Sequence, residues 1–155
     1  NCQYITCDQN YLYIKSRGDA FPGDVPTIKI FDKNLNFVQR QVTQVQMMIV
    51  DKNNLYEVAA DGISIKKFDK LLLSLLGTAT ATMPQGYSSI MVDDAYVYAT
   101  AGRYHDSPRG NESYLLIDRF EKQPLGYKDR LIIETGIASP SRNITLDNWY
   151  SIATG

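Results

Sequence analysis

Asp51-Lys52-Asn53-Asn54-Leu55-Tyr56 decides the fold, because its pattern of an aspartate, a short turn and a tyrosine-bearing apolar run occurs four times. The other copies are Asp8-Gln9-Asn10-Tyr11-Leu12-Tyr13, Asp93-Asp94-Ala95-Tyr96-Val97-Tyr98 and Asp147-Asn148-Trp149-Tyr150-Ser151-Ile152. The first three recur about every 42 residues, and the fourth follows a longer gap, which is the signature of a repeat architecture. A second signature keeps the same phase. Phe31-Asp32-Lys33, Phe68-Asp69-Lys70 and Phe120-Glu121-Lys122 close the runs Ile28-Lys29-Ile30, Ile65-Lys66-Lys67 and Ile117-Asp118-Arg119.

Period-2 alternation and turn residues divide each unit into four short strands. In the second unit, residues 47–50 are apolar throughout, as suits a strand buried on both faces. Asp51 to Asn54 supply a turn, since Asp and Asn cap their own backbone. Strands are then expected over 55–58, 63–68 and 71–76, with Ala60-Asp61-Gly62 as a turn. The first unit is expected at 4–6, 11–14, 27–31 and 36–42, the third at 89–92, 96–100, 114–120 and 130–134. A further unit opens with 143–146 and 149–153. The units span roughly 3–43, 45–82, 88–136 and 142–155.

The composition fits this reading. Hydrophobic residues make up 44% and charged residues 21% of the 155, a globular balance, and eleven tyrosines suit half-buried strands. The formal net charge of -1 provides no field for phosphate backbones, so nucleic acid is not an expected partner. The apolar stretch 71–81 is interrupted by Ser74, Gly77 and threonines and is too short for a membrane span. The first residues carry neither an initiator Met nor a signal core, so the chain is expected to begin at a processing site or inside something longer. Cys2 and Cys7 are too few for a disulfide framework and too isolated for zinc; Cys7 is expected to be a small buried hydrophobe.

The order of inner strand, Asp-containing turn, Leu-Tyr-like second strand and third strand ending in Phe-Asp resembles the β-propeller repeat, most closely the NHL and YVTN type. The Trp-Asp and Gly-Gly doublets of other blade types are missing. The expected fold is therefore all-β: tandem four-stranded antiparallel sheets, a partial β-propeller of about three blades and the start of a fourth. A lone sheet of this kind cannot bury both faces, so the remaining blades are expected from further sequence, another chain or a second copy.

The resemblance also implies that the connections between second and third strands lie on the binding rim. They are minimal at 59–62 but long at 16–26 and 101–112. Arg17, Asp19, Arg103, Tyr104, His105, Asp106 and Arg109 are the candidate binding residues, being those best able to make directional contacts. Arg17-Gly18-Asp19 spells an adhesion tripeptide, but three residues in a Gly/Pro loop carry little information. His105 beside Asp106 is the only histidine, and neighbours on a loop rarely orient each other as base and partner. The turn aspartates Asp8, Asp51, Asp93 and Asp147 are expected to cap turns rather than hold a metal. Sequons at Asn111 and Asn143 leave the compartment open.

No catalytic residue, metal or cofactor is assigned. The expected function is a non-catalytic interaction or architectural segment of a larger assembly, with a protein partner or the remaining blades as partner. A metal-dependent hydrolase or lyase, and an extracellular adhesion or glycan-binding propeller, are the alternatives.

Overall fold

The computed structural model describes residues 2–16, 25–43, 45–81, 86–107 and 110–137. The chain is all-β among these residues: three four-stranded antiparallel sheets in tandem, none closed into a barrel, in a partial propeller-like arrangement. None of the described residues forms a helix long and apolar enough to cross a membrane.

Sheet 1 comprises β1 (Cys2–Cys7), β2 (Tyr11–Ser16), β3 (Thr27–Asp32) and β4 (Phe37–Val42). Sheet 2 comprises β5 (Val45–Val50), β6 (Asn54–Ala59), β7 (Ser64–Asp69) and β8 (Leu75–Thr80). Sheet 3 comprises β9 (Ser89–Val92), β10 (Tyr96–Ser107), β11 (Gly110–Lys122) and β12 (Leu125–Ile137). Each sheet is a meander in chain order. The first strands β1, β5 and β9 lie side by side, and β8 touches β12.

Two apolar layers separate the three sheets. Tyr13, Ile28 and Ile30 of sheet 1 pack against Met48, Val50, Leu55, Phe68 and Leu73 of sheet 2. Met47, Tyr56, Val58 and Ile65 of sheet 2 pack against Ile90, Val97, Ala99 and Phe120 of sheet 3. Successive β-residues point to opposite faces, so Leu55 serves one layer and its neighbour Tyr56 the other. This is why β6 is buried at all six positions.

The expected 71–76 strand is displaced. Asp69 accepts hydrogen bonds from the amides of Leu71 and Leu72, and Leu73 donates its amide to the Asp69 carbonyl. This turn consumes the first leucines, and the ladder begins only at Leu75. Leu73 sits at φ 54 with its side chain buried in the first layer. Sheet 1 repeats the device: Asp32 accepts from Asn34 and Asn36, and Leu35 stands at φ 64, here exposed. Apolarity alone favoured strand, but carboxylate capping of successive amides decided the local geometry.

The third unit differs more. Residues 101–107 and 110–112, expected within a loop, continue the β10–β11 ladder through Ser107↔Gly110. The last strand starts at Leu125 instead of residue 130 and runs alongside. Strands of 12 and 13 residues beside neighbours of six carry this ribbon about 20 Å beyond the other sheets. The expected unit at 142–155, including Asp147 and the Asn143 sequon, lies outside the described residues.

Cys7 also corrects the sequence reading, for it is exposed. It stands on the face of sheet 1 turned away from sheet 2, in register with Leu12.

Candidate functional site

The chemistry of this chain concentrates where sheets meet. Asp8, Asp51 and Asp93 build one turn three times. Asp51 accepts hydrogen bonds from the amides of Asn53 and Asn54 through Oδ1 and from the Tyr56 hydroxyl through Oδ2. Asp8 does the same with Asn10, Tyr11 and Tyr13. Asp93 does so with Ala95, Tyr96 and Tyr98. These aspartates cap turns, as the sequence suggested; Asp147 lies outside the described residues.

The second carboxylate oxygen then reaches the next sheet. Lys70 of sheet 2 lies 2.6 Å from Asp8 Oδ2, and Lys122 of sheet 3 lies 2.5 Å from Asp51 Oδ2. Lys122 also donates to the Asp93 carbonyl at 2.7 Å. Burial opposes ionisation of Asp8 and Asp51, but the lysine and the two turn amides outweigh it and hold both carboxyls below their ordinary range. Burial, with the adjacent carboxylate, pushes Tyr13 and Tyr56 above the usual tyrosine value, so both hydroxyls remain donors. Each lysine comes from the Phe-Asp/Glu-Lys signature. Both halves were visible in the sequence, but their phase within one unit gave no hint that they pair across units.

Beside the second of these pairs is a cleft of about 440 Å3 lined by Asp51, Asn54, Asp94, Tyr96, Glu121 and Lys122, among others. Its one ammonium is engaged by Asp51, and Lys128 holds Glu121 at 3.2 Å, so Asp94 is its one carboxylate without an ion pair among the described residues.

Glu57 is a second feature that the sequence did not signal. It occupies the register position held by Ile14 in sheet 1 and Ala99 in sheet 3. It is 2% exposed, and its Oε2 has no hydrogen-bond partner among the described residues. Burial pushes its carboxyl up to about 7, against the opposing pull of Lys66, a Thr43 hydrogen bond and Lys15. A third polar group is fully paired. Asp118, 0% exposed, accepts two hydrogen bonds from Arg130 and one from Tyr87 at 2.6 Å. That set fixes the side of sheet 3 that meets sheet 2.

The sequence-derived binding candidates divide in two. Arg17, Asp19 and Arg109 lie outside the described residues. Arg103, Tyr104, His105 and Asp106 fall on consecutive positions of β10, paired with Tyr114, Ser113, Glu112 and Asn111 in the projecting ribbon. They therefore stand on a strand rather than a loop, because the backbone pairing of β10 with β11 continues through them. Among the described residues no group of three or more His, Cys, Asp or Glu side chains is placed to hold a metal ion. No family model and no curated protein matches the chain.

Proposed function

We propose that the chain is a non-catalytic propeller segment, an architectural and protein-interaction module whose open end faces seat further sheets. One observation carries this reading. Met48, Val50, Leu55 and Phe68 are buried against sheet 1, and Ile90, Val97 and Phe120 at the matching positions are buried against sheet 2. The same register positions in sheet 1 hold Ile5, Cys7, Leu12 and Phe31; Ile5 and Cys7 are exposed and Leu12 and Phe31 half-buried, and Ile5 is 61% exposed where Met48 is 4%. An apolar row that no described residue of the chain covers is built for a neighbour. Four to eight such sheets close a propeller, and three are present among the described residues. The ribbon bearing Arg103 to Asp106 supports a partner contact on the opposite rim from the aspartate turns.

The test supplies the missing neighbour. A copy of residues 45–81 joined ahead of residue 1 brings the aspartate turn and tyrosine row of sheet 2 to the open face of sheet 1. At low protein concentration, where copies of the chain stay apart, seating of that sheet raises Tm by about 5 °C or more and protects the Cys7 thiol from alkylation. Unchanged Tm with Cys7 still freely reactive contradicts the reading.

A further inference from the structure

Each internal interface has two different sides. The leading sheet offers the turn aspartate and its tyrosine: Asp8 with Tyr13, then Asp51 with Tyr56. The trailing sheet offers a lysine and an apolar row: Lys70 with Leu55 and Phe68, then Lys122 with Val97 and Phe120. Among the described residues both sides recur unmatched at the ends of the stack. Lys33, from the Phe31-Asp32-Lys33 signature, is exposed on sheet 1 and forms no ion pair with any described residue. Its counterparts Lys70 and Lys122 have side chains only 17% and 13% exposed. At the other end Asp93 is exposed and holds its two turn amides and Tyr98 as Asp8 and Asp51 do, yet no ammonium meets its Oδ2 among the described residues.

The apolar surfaces are likewise complementary. Sheet 1 presents Ile5, Cys7, Leu12 and Phe31, the side that trails. Sheet 3 presents Tyr98, Ile117 and Met91, at the positions of Tyr56, Ile65 and Ile49 on the side of sheet 2 that leads. Met91 is exposed, and Leu131 beside Ile117 is exposed too.

We propose that these two ends recognise each other between two copies of this chain, Lys33 of one meeting Asp93 of the other. This pairing deepens the architectural reading above and rests on it. The contact is head to tail, so it either closes or propagates. Two copies bring six sheets, within the range over which propellers close. A twofold axis then makes the contact twice, so that no described sheet keeps an open face. The repeated chemistry names this occupant over a generic apolar partner, because only a sheet with an Asp-x4-Tyr turn gives Lys33 what Asp8 gives Lys70.

Light scattering on the eluting full chain, with alkylation of Cys7, tests the pairing. The wild type runs at about twice the 17.5 kDa chain mass at high micromolar concentration, and its Cys7 is alkylated slowly. K33E removes the ammonium at an exposed position and weakens association by about tenfold or more. D93N keeps an oxygen for the turn amides while removing the charge, and it weakens association in the same direction. K52E, on an exposed turn of sheet 2, leaves the mass unchanged. A monomer with fast Cys7 alkylation, a dimer indifferent to K33E and D93N, or open-ended polymers overturns the pairing. Those results leave the architectural reading standing, because the appended-repeat experiment decides it separately.

Discussion

Lys122 closes sheet 3 onto Asp51, the residue that turns the chain into the second strand of sheet 2, at 2.5 Å and with both side chains 13% exposed. Sixty-two residues apart at the other interface, Lys70 and Asp8 do the same at 2.6 Å. Each aspartate thus serves local and long-range structure together: its Oδ1 shapes the turn and its Oδ2 fastens the next sheet. Removing the lysine leaves a largely buried carboxylate without its cation, which is costlier than the pair is favourable. K122M is expected to destabilise by about 1–3 kcal/mol. D51N/K122M, which lacks both charges, is expected to recover part of that loss in a double-mutant cycle of denaturant midpoints. Strict additivity contradicts the coupling.

A covered and an uncovered apolar row give opposite expectations for similar truncations. Leu55→Ala opens a cavity between sheets 1 and 2 and costs about 2–5 kcal/mol. Ile5→Ala, at the matching apolar row on the uncovered side, costs under about 1 kcal/mol in the isolated chain. Urea midpoints at low protein concentration check both.

Glu57 predicts an unusual pH response. Its carboxyl rises from an ordinary 4.5 to about 7 on folding, because burial disfavours the charged form. The folded chain therefore holds a proton that the unfolded chain releases, so stability is fullest below 4.5, declines as pH climbs through that window and is lost above about 7. The span is about 3 kcal/mol. Asp8 and Asp51 act in the reverse sense: their lowered values add stability above the ordinary 3.8, which is lost as acid protonates them. An optimum between these regimes follows, near the weakly acidic range. In E57Q the decline between 4.5 and 7 disappears; a wild-type profile flat across that window contradicts the assignment.

Leu35 and Leu73 share a left-handed backbone but not an environment. Glycine relieves the strain at both. Leu35→Gly, at an exposed side chain, is expected to be neutral or stabilising by up to about 1 kcal/mol. Leu73→Gly removes a buried side chain from the first apolar layer and is expected to destabilise by at least about 2 kcal/mol. Thermal melts of the two variants separate backbone from packing.

The sequence carried the all-β class and three four-stranded units, because Asp-turn, Tyr-strand and Phe-Asp/Glu-Lys recur in one order with period-2 alternation between them. It misled at Leu71 to Leu76, where apolarity spoke for strand while Asp69 capped successive amides. It misled again at 101–107 and 110–112, where Gly, a nearby Pro and charge suggested a loop but the flanking register simply continues. Cys7 was read as core because small apolar positions usually are, and here no described sheet covers it. Lys70 and Lys122 were visible as a pattern without a partner, since only stacking brings one unit's lysine to the previous unit's aspartate. Glu57 had no sequence signal at all; a lone acid inside a strand reads as a solvent-facing position until both neighbouring sheets are in place.

Native-state hydrogen exchange tests the stacking most directly. If sheet 2 is sandwiched by both neighbours, the β6 amides exchange only through global unfolding, while those of β4, at an outer edge, exchange through smaller openings. K70M and K122M then lower β6 protection together with the global stability. Exchange of β6 as fast as β4, or β6 protection unmoved by either lysine substitution while global stability falls, contradicts it.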